Sequence, residues 1–127
     1  MLARIDLAGV TVAESAQSWR VLETSHPPVH YLPIAAFSVA VIGTARTSFC
    51  EWKGIAQYVD VGDCAEAGWT YAEHPQLAGH VAVYPSRMDG CWLDGEQVLA
   101  QEGDFYGGWI TTRVVGPFKG APGTRFW

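Results

Sequence analysis

The chain reads as a mainly β domain, barrel-like or built from two antiparallel sheets, with at most one or two short helical turns. Three observations carry that reading. Seven to nine short segments either alternate apolar and polar residues or concentrate β-branched and aromatic ones. Glycine, proline and Asp-Gly turn signals separate them at close spacing. No segment carries an amphipathic pattern of helix length, so no crossover helices for a parallel sheet are available. With 127 residues, 49% of them hydrophobic, residues 1–127 fit one domain that buries roughly two thirds of its unfolded surface.

Taken in order, Ala3 to Ala8 and Val10 to Ala13 alternate around Gly9. Trp19, Val21 and Glu23 share a face of a strand running into Ser25-His26-Pro27-Pro28, where two prolines end it. A polyproline-like passage through His30, Tyr31 and Pro33 leads to a short helical turn near Ile34 to Phe37, then to an apolar strand from Ser38 to Ile42. Ile55 to Val61, Gly68 to Ala72 and His80 to Tyr84 read as core strands, with a single helical turn from Pro75 to Gly79. Asp94-Gly95 favours a two-residue turn with positive φ at both centres, so Cys91 to Leu99 reads as a hairpin. Asp89-Gly90 marks another turn, and Trp109 to Val115 supplies one more strand.

Composition excludes several functions. Eight Lys and Arg against thirteen Asp and Glu give a formal charge of −5, without a basic run. A nucleic-acid partner would lack its main source of affinity. No stretch approaches the roughly 20 apolar residues of a membrane span, and the first ten residues do not form a secretory leader. A cytoplasmic location is expected. Cys50, Cys64 and Cys91 are odd in number and widely spaced, which suits reduced thiols better than a disulfide framework or a zinc knuckle.

Four blocks carry a specific resemblance: VLETSHPPVHYLP, TSFCEWKGIAQY, GHVAVYP and the stretch from GDFYGGWITTRVVGPFKG to PGT. In that order, across nearly the whole chain, they resemble the bacterial family named domain of unknown function 427, also catalogued as a nucleotidyltransferase family. The resemblance implies a fold similar to the β-tent, two antiparallel sheets meeting at a steep angle, as in methionine sulfoxide reductase B and the ligand-binding domain of cereblon. Those relatives usually hold zinc with two Cys-x-x-Cys pairs. This chain has no such pair, so neither metal nor cofactor is expected.

The parts a nucleotidyltransferase label would require are missing from the sequence. Gly116-Pro-Phe-Lys119-Gly120 has glycines and a lysine but lacks the following helix and the Ser or Thr of a phosphate loop. Asp60, Asp63, Glu66, Asp89 and Asp94 fall mostly in turns, where solvated acids are ordinary. His26 and His30 are four apart, yet the prolines between them forbid the helix that would align them on a metal. His74 and His80 sit at a turn and a strand start, where satisfied polar roles suffice.

The candidate for catalysis is Cys50 with Lys53, since a nearby ammonium promotes a thiolate by lowering its pKa from about 8.5. In an extended segment, however, Cys50 and Trp52 share one face while Glu51 and Lys53 share the other. Convergence requires a tight turn at Lys53-Gly54 or a bulge. Otherwise Cys50 is a small buried thiol beside a core tryptophan.

The aromatic set is the second signal. Six tryptophans and five tyrosines are many for this length. Trp19, Trp69 and Trp92 read as core. Gly103 to Trp127 packs six glycines and six aromatic rings among four charged side chains, and within it Tyr106-Gly-Gly-Trp109 joins wall-forming rings to a backbone that can approach a ligand closely. By resemblance to the β-tent relatives, a ligand groove would be lined by Trp52, Tyr84, Tyr106 and Trp109, with Cys50, Lys53 and Asp104 at its polar end. The alternative is that these rings plug the end of a small barrel. Three functions follow: a small-molecule-binding domain, a small cytosolic enzyme using Cys50 and Lys53, or a domain that forms a homodimer through its tail.

Overall fold

The computed structural model describes residues 1–22, 27–51, 53–100 and 107–112. In chain order these form β1 (Ala3–Leu7), β2 (Val10–Ser15), β3 (Trp19–Val21), β4 (Val29–Pro33), β5 (Val41–Cys50) and β6 (Gly54–Val61). Then come β7 (Cys64–Thr70), β8 (His80–Val83), β9 (Gly90–Leu93), β10 (Glu96–Gln97), β11 (Leu99–Ala100) and β12 (Trp109–Ile110). Short 3-10 turns at Ile34–Ala36 and Pro85–Arg87 are the only helical elements among the described residues. None of the described residues forms a helix long and apolar enough to cross a membrane.

The mainly β class read from the sequence holds. Strands pair antiparallel into a four-stranded sheet ordered β10-β9-β1-β2, a six-stranded sheet ordered β3-β4-β8-β7-β6-β5 and a ribbon of β11 and β12. None closes into a barrel. The ribbon is a third sheet beyond the two expected; Leu99 opposes Ile110 and Ala100 opposes Trp109. It is fastened to β10 by Glu96, whose carboxylate accepts bonds from the Thr112 amide and hydroxyl at 2.7 and 2.9 Å.

Period-two alternation decides what each sheet buries. Ala3, Ile5, Val12, Cys91 and Leu93 of the small sheet join Leu32, Val59, Val61, Val81 and Val83 of the large one in the main core, with Trp109 among them. The residues between those of the large sheet face the other way: Tyr31, Ala56 and Ala82 gather with Trp69, Tyr71 and Leu77 in a second cluster. The large sheet is therefore apolar on both faces, as central strands with near-continuous apolar sequence require.

Turn chemistry accounts for much of the path. Asp94 and Gly95 take φ of 48° and 84°, the doubly positive turn expected, and Glu96 pairs with Leu93. The expected turn near Ile34 is present. At 75–79 the chain makes a turn rather than a helical element, with the Ala78 amide donating to the His74 carbonyl at 2.9 Å. His74 caps it: Nδ1 accepts from the amides of Gln76 and Leu77 at 3.2 and 3.3 Å.

The strand expected from Trp109 to Val115 ends at Ile110, residues 113–115 lying outside the described residues, and three further segments differ from the sequence reading. The passage through His30 and Tyr31 is not polyproline-like but is strand β4, paired on both flanks, to β3 and β8. Pro33 is tolerated because it is the strand's last residue. The strand expected from Ser38 to Ile42 begins at Val41 and runs to Cys50. Between Gly43, opposite Val59, and Thr47, opposite Gln57, three residues stand against one. Thr44 fixes this bulge, donating to the Tyr58 carbonyl at 3.0 Å and accepting from the Arg46 amide at 3.2 Å. Trp19, read as core, lies on edge strand β3 and is 46% exposed.

Candidate functional site

The second cluster is built around Trp69. Tyr58 stands opposite Trp69 on β6, and Ala82 stands opposite it on β8. Because β8 lies between β7 and β4 and offers only a methyl there, the Trp69 indole N–H donates across it to the Tyr31 hydroxyl at 3.0 Å. The Tyr84 ring lies 4.7 Å from Trp69, and the Tyr31 ring 6.3 Å from Tyr71. Tilted contacts of this kind add about 0.5–1.5 kcal/mol each beyond the area they bury. Tyr31, Trp69 and Tyr71 are buried, whereas Tyr58 and Tyr84 are half-buried.

Two distant parts of the chain reach these rings. The first is the β5–β6 hairpin end. Cys50 closes β5 opposite Gly54, so the chain has reversed direction by Gly54 and the alternation that would separate Cys50 from Lys53 does not apply. Cys50 packs against the cluster, and Lys53 Nζ sits 5.6 Å from the centre of the Tyr71 ring, a cation–π contact. The second is Gly107. Its φ is 65°, and a side chain there would begin 2.5 Å from Trp69 Cη2 and 3.0 Å from Tyr84 Cδ1. Only a bare backbone fits so close to both rings.

Two residues on, Trp109 belongs to the main core. Its ring is fully buried, its amide donates to the Pro28 carbonyl at 2.8 Å, and Nε1–H donates to the Val83 carbonyl at 3.4 Å. The His30 ring packs against it, tilted by 35°, with the ring centres 5.1 Å apart. Burial, reinforced by the Arg20 and N-terminal positive charges, lowers the His30 pKa to about 4. Trp52, Asp104 and Tyr106, the other residues read as ligand contacts, lie outside the described residues.

The remaining thiols are placed apart. Cys91 is buried in the main core and its pKa is pushed up to about 12 by burial and the nearby Asp6, so it stays a protonated, unreactive thiol. Cys64 lies beside Arg87, whose Nη2 is 3.6 Å from the sulfur. Among the described residues no three His, Cys, Asp or Glu side chains gather as a metal ion would need.

Sequence reasoning did not single out Tyr31, Tyr71 or His30 for the site. The usable signal was alternation: Trp69 and Tyr71 are two apart, as are Val29 and Tyr31 on β4. On β4 that signal was hidden because the flanking prolines argued against a strand.

Residues 2–94 match the model of the family described as Domain of unknown function (DUF427). The chain belongs to the DUF427 family. No curated protein matches it. Within this DUF427 chain the matched span holds Cys50, Lys53, Tyr31, Trp69, Tyr71 and Tyr84, and ends before Gly107 and Trp109.

Proposed function

We propose that this DUF427 domain binds a small organic molecule against the aromatic cluster of the six-stranded sheet. Tyr84 offers a ring face, and Cys50 and Lys53 form the polar end. Trp109 serves from behind, anchoring Gly107 over Trp69. Trp52, Asp104 and Tyr106 complete the contacts in this reading. The observation that carries it is convergence: Lys53 and Gly107, remote in sequence, touch one group of rings. Apolar and aromatic surface with a few polar groups at one end is the usual makeup of small-molecule sites.

A second reading, an enzyme working through the Cys50 thiol, is favoured by Cys50 and Lys53 both reaching that cluster. One experiment separates them. In a metabolite screen by thermal unfolding, a compound at a hundredfold excess over its Kd adds about 2.7 kcal/mol, or roughly 10 °C for a chain of this length. Tyr84→Ala is expected to fold and lose that rise, while Cys50→Ser keeps it. A rise that survives Tyr84→Ala places binding elsewhere and refutes the proposal. Chemical turnover of the bound compound that stops in Cys50→Ser would establish the enzyme instead.

A further inference from the structure

We propose that His30 and Trp109 form a proton-sensitive clasp that holds residues 107–112 closed, so that acidification lifts Gly107 from the Trp69 and Tyr84 rings. The clasp itself stands on the geometry of those residues, whether or not a ligand binds beneath Gly107.

His30 lies on the inward face of β4, alternating with Tyr31, and is 1% exposed. Its Nδ1 is buried without a hydrogen-bond partner among the described residues. A phenylalanine would fill such a place without the cost of a buried unsatisfied nitrogen. What imidazole adds is a proton site. The structure favours it neutral, first because burial strips the charged ring of water and then because the charges acting on it are positive: Arg20, opposite on β3, and the N-terminal ammonium. On β8 the titratable side chain is His80, opposite Pro33, and β12 presents Trp109 and Ile110, neither of which ionises. No described carboxylate compensates a charge on His30.

The segment that His30 supports is short. Strand β12 has two residues, and besides the Thr112 bonds to Glu96 it is anchored by the Trp109 ring with its bonds to Pro28 and Val83. Charging His30 beneath that ring favours any state in which β4 and Trp109 part and water reaches the imidazole.

The sign follows from proton uptake. Well above pH 6.5 His30 is neutral whether the clasp is closed or open, and pH has no effect. Below it, the open form binds a proton and the closed form does not until about pH 4. Opening is therefore favoured about 20-fold at pH 5 relative to pH 7, and about 200-fold once both forms are charged.

Hydrogen exchange read by NMR tests this on the intact chain, after correction for the intrinsic pH dependence of exchange. The Trp109 amide and indole N–H are expected to be less protected than the β1 and β9 amides at pH 7, and to lose about 20-fold further by pH 5. In His30→Phe that loss should vanish. Protection of Trp109 equal to that of β1 and β9 at both pH values would mean opening only by global unfolding, and would overturn the clasp. So would protection that does not change with pH, or an undiminished loss in His30→Phe. Should that variant not fold, the comparison of Trp109 with β1 and β9 in the unaltered protein decides alone.

Discussion

Trp109→Ala is expected to lower the free energy of unfolding by about 3–5 kcal/mol, the range for removing a large buried aromatic side chain. The ring has no exposed surface, and truncation removes its contact with His30 and the indole bond to Val83 as well as its packing in the main core. Trp19→Ala provides the internal comparison. Trp19 is 46% exposed on an edge strand, so its loss should cost no more than about 1 kcal/mol. Urea midpoints for the two variants, measured at one pH above 7 where His30 is neutral in both states, check the difference. Equal midpoints would show that Trp109 does not anchor the core.

Gly68→Ala is the second large effect, from the opposite cause. Gly68 lies in β7 opposite Val83 of β8, and a methyl there would run into the Ala82 carbonyl oxygen, with the Val83 Cγ1 only 3.4 Å away. The obstacle is backbone in the middle of a six-stranded sheet, so it cannot swing aside like a flexible side chain. The cost is expected to reach about 3 kcal/mol or more, at or above the top of the usual overpacking range, because β7 and β8 must separate. Gly95→Ala isolates the conformational part: its φ is 84° and nothing lies within 4 Å of the added atom, so about 1 kcal/mol is expected. Thermal unfolding of both variants gives the comparison, and a Gly68→Ala protein as stable as Gly95→Ala would contradict the close approach of the two strands.

Much of the fold was legible because local signals and tertiary structure agreed. The strands around Gly9, the Asp94-Gly95 hairpin and β8 all follow from alternation and turn chemistry. Where reading failed, the deciding interaction was remote or polar. The length of β5 was hidden by Thr44, Ala45, Arg46, Thr47 and Ser48, which neither alternate nor concentrate apolar residues. The site was legible in its parts rather than in its assembly. Cys50 and Lys53 could meet the same surface only through the turn between them, as the alternation argument required. The bond from Trp69 to Tyr31 depends on β8 lying between β7 and β4, a strand order no local pattern encodes. Trp109 drew notice for its neighbouring glycines. In the fold it is Gly107 that lies against the rings, while Trp109 packs on His30, whose partner no spacing revealed.

The bulge that Thr44 holds in β5 bears on how these molecules behave when crowded. β5 is an outermost strand, and both Phe49 and its cross-strand neighbour Ile55 are exposed, a combination that in a flat ribbon would template pairing with another chain. Three residues standing against one break the regular spacing of outward amides and carbonyls. A second molecule could match only a few consecutive bonds before falling out of step, so the bulge opposes fibril-like growth at this rim even with its apolar side chains in view.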